Sequence, residues 1–286
     1  MSETTLFIDA KNTLYRHNYT SSLTDPEGNK VSGVFGMFKD VTNQIRIHNP
    51  TNVVICWDKG KSKGRVALYP EYKAHRKQED KELLENLGYQ TRMAKMLFKC
   101  LPVKQMVIQD VEADDIIGFL SSKLPGKKII FSNDSDFYQL INDDISQFVP
   151  KKKMTLNKHN IEKEMKLGIG VEDYILHKAM VGDSSDNIVG LKGIGNKTAT
   201  KIIKGDIKKI PVIDKEILKR NVKLIKIGHI LTTQDKKDII SLYKKEREKE
   251  SNTILLKRLC MKLGFRSILS SFGTHILVYK PLIRRT

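Results

Sequence analysis

Three cysteines in 286 residues, Cys56, Cys100 and Cys260, leave no C-x-x-C pair and an odd thiol. That argues against a disulfide framework and against a thiolate zinc site. Cys56 lies in the apolar run 53–57 and reads as core. No stretch approaches the roughly 18 apolar residues of a membrane span. The opening MSETTLFIDA lacks a basic leader region and carries too short an apolar run for a signal peptide, so a cytoplasmic location is expected. Internal repeats and low-complexity tracts are also missing. Acid is the scarcer charge: 33 Asp and Glu against 51 Lys and Arg give a formal net charge of +18. A chain that is 40% hydrophobic and 29% charged has ample core for a globular protein and too much of it for a disordered one. Its positive balance favours a polyanionic partner, nucleic acid first, although a merely solvated lysine-rich surface would give the same total.

The scarce acids are not scattered. Asp9, Asp58, Glu112, Asp114, Asp115, Asp134, Asp136, Asp183 and Asp186 stand in small groups. Most of them lie at or just beyond the end of a strand-like run. Residues 6–9, 53–57, 106–108 and 129–131 are short apolar runs of the kind buried in parallel sheets. A 3–4 spacing of Val34, Phe38, Val41 and Ile45 predicts a helix after the first, and residues 112–124, stopped by Pro125 and Gly126, predict another. The alternation predicts an α/β fold with a central, mostly parallel sheet flanked by helices. Open α/β sheets place their ligands where the strands end.

Carboxylates gathered on a cationic body need a counter-charge, and hard divalent cations take carboxylate oxygens. VEADD, residues 111–115, packs three acids into four positions at a helix start. One or two would suit the helix dipole; three repel one another without a cation. NDSDF, residues 133–137, leaves a strand end with Asp134 and Asp136, and GDSSDN, residues 182–187, holds Asp183 and Asp186 three apart. Taken singly, each of these two is also compatible with an ordinary turn or cap.

Residues 60–100 form a long, charged, mostly helical insertion between strands: either a solvated helical hairpin or a mobile basic arch. From about residue 161 the chain reads as helical and lysine-rich. Within it NIVGLKGIGNKTATKII fits a helix–hairpin–helix at about 186–204. Gly193 and Gly195 let backbone approach a phosphate, the next helix offers free N–H groups, and Lys192 and Lys197 flank the turn. Such an element holds the phosphate backbone without reading bases. Two parts are expected: 1–160, with the arch at about 60–100, and a helical DNA-binding region 161–286. The last 20 or so residues carry no readable signal.

FIDAKN, WDKGKSKGR, YPEYKAHR, VEADD, SNDSDF, GDSSDN and GLKGIG, in this order over about residues 5–205, resemble the flap endonuclease/5′-nuclease superfamily. The likeness is greatest to stand-alone bacteriophage 5′-exonucleases and to the 5′-nuclease domain of bacterial DNA polymerase I. The resemblance implies a PIN-like core, a helical arch and a helix–three-turn–helix motif. It implies that the nine acids above hold two Mg2+, with Mn2+ as a substitute, and that K+ sits between the glycine turn and a phosphate. Lys73, Arg16 and Lys178 would be the basic groups near the reaction, with Tyr72 stacking on an unpaired base. Arg76, Lys192, Gly193, Gly195, Lys197 and Thr198 would contact DNA. The expected activity is 5′→3′ exonuclease and flap endonuclease action by a monomer on 5′ flaps, free 5′ ends and RNA-primed 5′ ends, in replication or repair, with a replication protein as a further candidate partner. If the chain is phage-encoded, its location is the host cytoplasm. Two departures, Asp9-Ala10 for Asp-Gly and Asp134-Ser135-Asp136 for Asp-Gly-Asp, remove no carboxylate.

Three other functions fit the pattern less well. A catalytically silent branched-DNA binding protein would have lost a carboxylate, a PIN-type RNA nuclease would lack GLKGIG, and a DNA-packaging protein would need neither VEADD nor GDSSDN.

Overall fold

The computed structural model describes residues 3–18, 22–75, 81–207, 212–246 and 251–283. Its strands are β1 (Thr4–Asp9), β2 (Asn52–Trp57), β3 (Lys104–Val107), β4 (Lys127–Phe131), β5 (Ile145–Val149) and β6 (Met154–Leu156), with a hairpin of β7 (Gly182–Asp183) and β8 (Ile188–Val189) later in the chain. Among them run α1 (Ala10–Asn18), α2 (Ser32–His48), α3 (Lys63–Leu68), α4 (Lys81–Lys99), α5 (Ala113–Lys123), α6 (Ile161–Met165) and α7 (Tyr174–Val181). After the hairpin come α8 (Asn196–Lys204), α9 (Lys215–Ile225), α10 (Thr233–Lys245), α11 (Thr253–Lys262), α12 (Arg266–Ser270), α13 (Phe272–Leu277) and α14 (Lys280–Ile283).

β1 to β6 form one sheet in the order β3-β2-β1-β4-β5-β6, parallel except for the β5–β6 pair. The chain builds outward from β1 to β3, then returns to lay β4 on the other side of β1. That reversal opens a crevice between the carboxyl ends of β1 and β4, the place where such sheets bind ligands. Registers Ile8↔Ile55 and Ile8↔Phe131 bring the three central strands to an end at one level. Both faces are covered. Leu6, Ile8, Val53 and Ile55 point into one buried cluster, Phe7, Val54 and Cys56 into the other, which is why these strands read as unbroken apolar runs rather than alternating ones.

The sheet, the helix at 32–48 and the helix at 113–123 agree with the periodicities that predicted them. Among the described residues beyond 161 the regular structure is helical apart from the β7–β8 hairpin, whose connecting turn, Ser184–Asp186, lies in GDSSDN. β5 and β6 escape sequence reading because their ISQFV and MTL lack a long apolar run.

The boundary at residue 160 follows the last strand of the main sheet but does not separate one core from another. Leu256, Leu259, Cys260, Leu263, Phe265, Ile268, Tyr279 and Leu282 are buried in the same cluster as Leu6 and Ile8. Phe265 meets Phe35 edge-on at 5.2 Å between centroids, and the Tyr279 ring stacks on Phe38 at 6.3 Å. Thr42 donates to the Phe38 carbonyl, so the Tyr279 hydroxyl donates to Thr42 Oγ1 at 3.0 Å. The C-terminal segment, unreadable in sequence, therefore closes one face of the sheet.

The arch also differs from its expectation. α4 is a core helix at its C-terminal half, with Met93, Ala94, Leu97 and Phe98 buried, and α3 is anchored by a buried arginine described below. Residues 76–80, between them, lie outside the described residues.

Truncating Tyr279 should behave as a core mutation. Tyr279→Ala is expected to lower the unfolding free energy by about 3–5 kcal/mol and Tyr279→Phe by only about 1 kcal/mol, read from urea denaturation followed by circular dichroism. An unchanged main transition in Tyr279→Ala would show the C-terminal helices to be an independent appendage.

Candidate metal centre and nucleic-acid interface

The central carboxylates come from chain ends that the sheet aligns. Asp9 is the last residue of β1, Asp58 follows β2, and Asp134 lies three beyond the end of β4. They open on one cleft of about 470 Å3, with Glu112, Asp114, Asp136, Asp186, Asn12, Lys61 and Lys73 among the other residues lining it. Each acid is aimed by a specific partner. Ser132 Oγ donates to Asp9 Oδ2 at 2.7 Å and accepts from the Asp134 N–H at 3.0 Å. Gln147, fully buried on β5, donates to the carbonyls of Ser132 and Asp134 at 2.9 and 2.8 Å. The Ala113 N–H, at the first turn of α5, donates to Asp58 Oδ1 at 2.8 Å.

The acids divide by charge environment. Glu112 accepts from Lys73 Nζ at 2.9 Å, from the Tyr72 hydroxyl at 2.9 Å and from Arg65 Nη1 at 2.8 Å. Burial alone would raise its pKa, but Lys73 and Arg65 outweigh it and hold the carboxyl below the usual range. Lys178 on α7 reaches Asp136 and, at 2.8 Å, Asp183. Burial opposes the ammonium charge, and these carboxylates, Asp136 first, more than restore it. Among the described residues no cation pairs with Asp9. Burial, and then the negative charge of Asp58, pushes its carboxyl up to about 7. Asp114 is pushed well up by burial and by Asp115. Asp114 keeps a partial partner in Arg65 Nη2 at 3.9 Å, so the carboxylates of the middle of the cleft gather around Asp9, beside Lys73 and Lys178 that already neutralise its margins. An oxygen-only donor set of this sign fits divalent cations such as Mg2+ or Mn2+.

Several expected site residues lie elsewhere or act otherwise. Asp115 is expected as a ligand, and its oxygens do come within 4.8 Å of those of Glu112 and Asp114. It is nevertheless fully buried, with one oxygen accepting from the Gly228 N–H at 2.7 Å and from Arg65 Nη2 at 2.9 Å, and the other bound by Arg65 Nη1. Three bonds fill most of its roughly four lone-pair sites beneath the cleft, so we read it as a structural acid. Tyr72 is not placed to stack on a base. Its ring is 2% exposed, flanked by Arg65 and Lys73, and its hydroxyl bridges Glu112 and Asp186. Arg16 pairs with Asp40 on α2 and lies over the Phe131 ring. Seven residues beyond Asp9 is two helical turns, about 10 Å along the axis, which carries it past the acids. Arg76 lies outside the described residues.

Lys73 lines the cleft. Its backbone, at φ 53, is pinned by an N–H bond to the Asp186 carbonyl at 2.9 Å, and Nζ is also 3.6 Å from Asp186 Oδ2. Asp136, Asp183 and Asp186 gather at the margin of the cleft.

Sequence reading missed Arg65. It is 1% exposed at the first turn of α3, capped by Ser62, and besides Glu112 and Asp115 it donates to the Leu224 carbonyl at 3.0 Å. Set in GKSKGR it looks like one more solvated cation; the Ser62 cap and the short apolar helix after it were the available signals. Ser132 and Asn12 were missed too, although each stands next to an acid-bearing strand end.

The glycine turn lies beside α7. Leu191 and Ile194 are buried as its anchors, while Lys192, Gly193, Gly195 and Lys197 are exposed and Thr198 is half-buried. Gly193 has φ 76, a left-handed backbone that a side chain would strain. A Cβ at Gly193 or Gly195 would meet nothing within 4 Å, so both face open space. Gly195 caps α8, leaving that helix's first N–H groups for an anion.

An acid-lined crevice at the switch point of this sheet, together with an open glycine turn ahead of a helix start, places the chain in the class of α/β nucleases. Residues 4–166 match the family described as 5′-3′ exonuclease, N-terminal resolvase-like domain. The chain belongs to this 5′-3′ exonuclease family and is a nuclease, a phosphodiester hydrolase. A 5′-3′ exonuclease of Buchnera aphidicola from Acyrthosiphon pisum is 30% identical to it over 290 residues, 94% of this chain and 97% of the relative. The one from the Schizaphis graminum symbiont is 33% identical over 207 residues, 70% of this chain and 69% of the relative. In fold the chain is similar to the bacteriophage T5 D15 flap endonuclease, solved as a pseudo-enzyme-product complex with DNA and metal ions, at a TM-score of 0.69 and 23% identity, covering 85% of this chain and 100% of that one.

Removing the guanidinium should strand two buried carboxylates. Arg65→Met is expected to cost about 3–5 kcal/mol of unfolding free energy, and Arg65→Met with Asp115→Leu to recover most of it, measured by urea denaturation. Equal stability of Arg65→Met and the wild type would refute the structural role of this cluster.

Proposed function

We propose that the chain is a divalent-metal-dependent, structure-specific 5′-nuclease that hydrolyses phosphodiesters at 5′ flaps and free 5′ ends of DNA, including RNA-primed ends, in replication or repair. The observation that carries this reading is the carboxylate centre of Asp9, Asp58 and Asp134 at the strand ends, in a chain that also presents an open glycine turn ahead of α8. Asp9, Asp58, Asp114 and Asp134, with Glu112, would hold the two Mg2+; Asp136, Asp183 and Asp186 would support them from the margin. When bound, such cations supply an activated water and offset charge on the leaving oxygen.

The chain's own groups do the rest. Ser132 and the Ala113 N–H keep Asp9 and Asp58 aimed into the cleft. Lys73, held over Glu112 and Asp186, would offset charge developing on the scissile phosphate. Lys178 would hold Asp136 and Asp183 in register. Cleavage on the 3′-oxygen side leaves a 5′-phosphate and a 3′-hydroxyl. The turn at Gly193 and Gly195, with Lys192, Lys197, Thr198 and a bound K+, would grip the downstream duplex by its phosphates, so specificity follows junction shape.

Cleavage of a 5′-labelled flap duplex with Mg2+ tests this. The wild type is expected to cut near the junction of single strand and duplex, and Asp134→Asn to bind the substrate without cutting it. Tight binding by the wild type with no cleavage in Mg2+ or Mn2+ would leave a branched-DNA binding protein instead. Ser132→Ala, which releases Asp9 while keeping every carboxylate, is expected to lower the rate about 10–100-fold; a wild-type rate would mean that Asp9 needs no orienting partner.

A further inference from the structure

One buried polar group is unused by this mechanism. His177, on α7, is 3% exposed, and its Nε2 lies 3.2 Å from the Asn196 carbonyl and 3.4 Å from Thr200 Oγ1. A carbonyl only accepts, so Nε2 carries the proton and donates. Burial lowers the ring's pKa, which keeps it the neutral donor this contact uses. Thr200 in turn donates to the Leu167 carbonyl at 3.3 Å. The imidazole thus ties three pieces together: α7, the first turn of α8, and the segment ahead of α7.

The two ends of this tie matter. Asn196 is the first residue of α8, directly after Gly195, so the carbonyl that His177 holds belongs to the helix start that presents its N–H groups to a phosphate. The next residue on α7, Lys178, turns the other way and is held by Asp136 and Asp183 at the cleft. Adjacent side chains on one short helix therefore fasten the glycine turn and the carboxylate margin. Leu191 N–H adds a second tie, to the Met180 carbonyl at 2.8 Å, at the start of the loop, and Met180 packs with Ile194 and Ala199; His177 supplies the directional hydrogen bond to the α8 start.

We propose that His177 is a positioning residue for duplex DNA: its Nε2–H fixes the start of α8 relative to α7, and so sets the distance between the gripped downstream phosphate and the scissile one. It touches neither substrate nor cation. This inference rests on the 5′-nuclease reading above and deepens it by naming what orients the duplex-binding turn.

The test compares His177→Leu, which removes the donor, with His177→Gln, whose side-chain amide can still donate to the Asn196 carbonyl. Plain duplex binding is read by fluorescence anisotropy, and flap cleavage in Mg2+ is read both at low substrate and in single turnover with saturating enzyme. His177→Leu is expected to weaken duplex binding and raise KM about 5–10-fold, the loss of one hydrogen bond of about 1 kcal/mol, with the single-turnover rate at saturation unchanged; His177→Gln should restore both constants. If His177→Leu does not fold, His177→Asn, polar but too short to reach Asn196, takes its place in the comparison. Wild-type duplex affinity in the donor-free variant, or equal weakening in His177→Gln, overturns the proposal. Absence of cleavage by the wild type itself would instead strike the 5′-nuclease reading, and the anisotropy comparison would still decide the role of His177.

Discussion

Mutual repulsion among carboxylates is the constraint that shapes this molecule. The sheet forces Asp9, Asp58 and Asp134 to one level because β1, β2 and β4 end in register, and nothing in a strongly basic chain requires them to meet there. Burying them together is unfavourable: burial first, and then the negative charge of Asp58, raises the pKa of Asp9. The fold relieves the repulsion only at the edges. Arg65 quenches Asp115 and part of Glu112 from below, Lys73 spans Glu112 and Asp186, and Lys178 spans Asp136 and Asp183. The centre is left negative, a charge that a cation can satisfy and that an approaching phosphate would otherwise be repelled by.

The neutralising cations also tie the structure together. Arg65 belongs to α3 but is bonded to α5 and, through Leu224, to α9; Lys178 belongs to α7 but is bonded to residues after β4 and in β7. The ion pairs that confine negative charge to the cleft are therefore also contacts that dock the helical half onto the sheet, alongside the shared hydrophobic clusters. Removing a buried partner from such a pair is costly, whereas the pair itself contributes little net stability, so their value here lies in placement.

Much of this was legible because parallel strands announce themselves. Continuous apolar runs ended in acids at residues 9 and 58, and strand periodicity plus a topological rule sufficed to put those acids in one crevice. VEADD was legible because three acids in four positions are hard to explain otherwise. What escaped was whatever depended on tertiary partners. Arg65 has the local sequence of a solvated residue and the burial of a core one. Tyr72 reads as an exposed aromatic beside a lysine, yet its hydroxyl is spent on Glu112 and Asp186. Arg16 has the right spacing but the wrong height along α1. Asp115 differs from Asp114 by a single helical step, about 100°, and that rotation points it at Arg65 instead of the cleft. Tyr279 lies between two short helices with no apolar period, and only the Phe38 ring opposite shows why it is there.

The central claim is that Asp9, Asp58 and Asp134 form the cation-binding centre while Asp115 does not. Titrating the protein with Mn2+ and following the free ion by electron paramagnetic resonance tests it directly. Saturable binding that is sharply weakened in Asp9→Asn and Asp58→Asn and preserved in a folded Asp115→Asn is the result this account requires. Binding that survives the first two substitutions, or is lost only with Asp115, would contradict it.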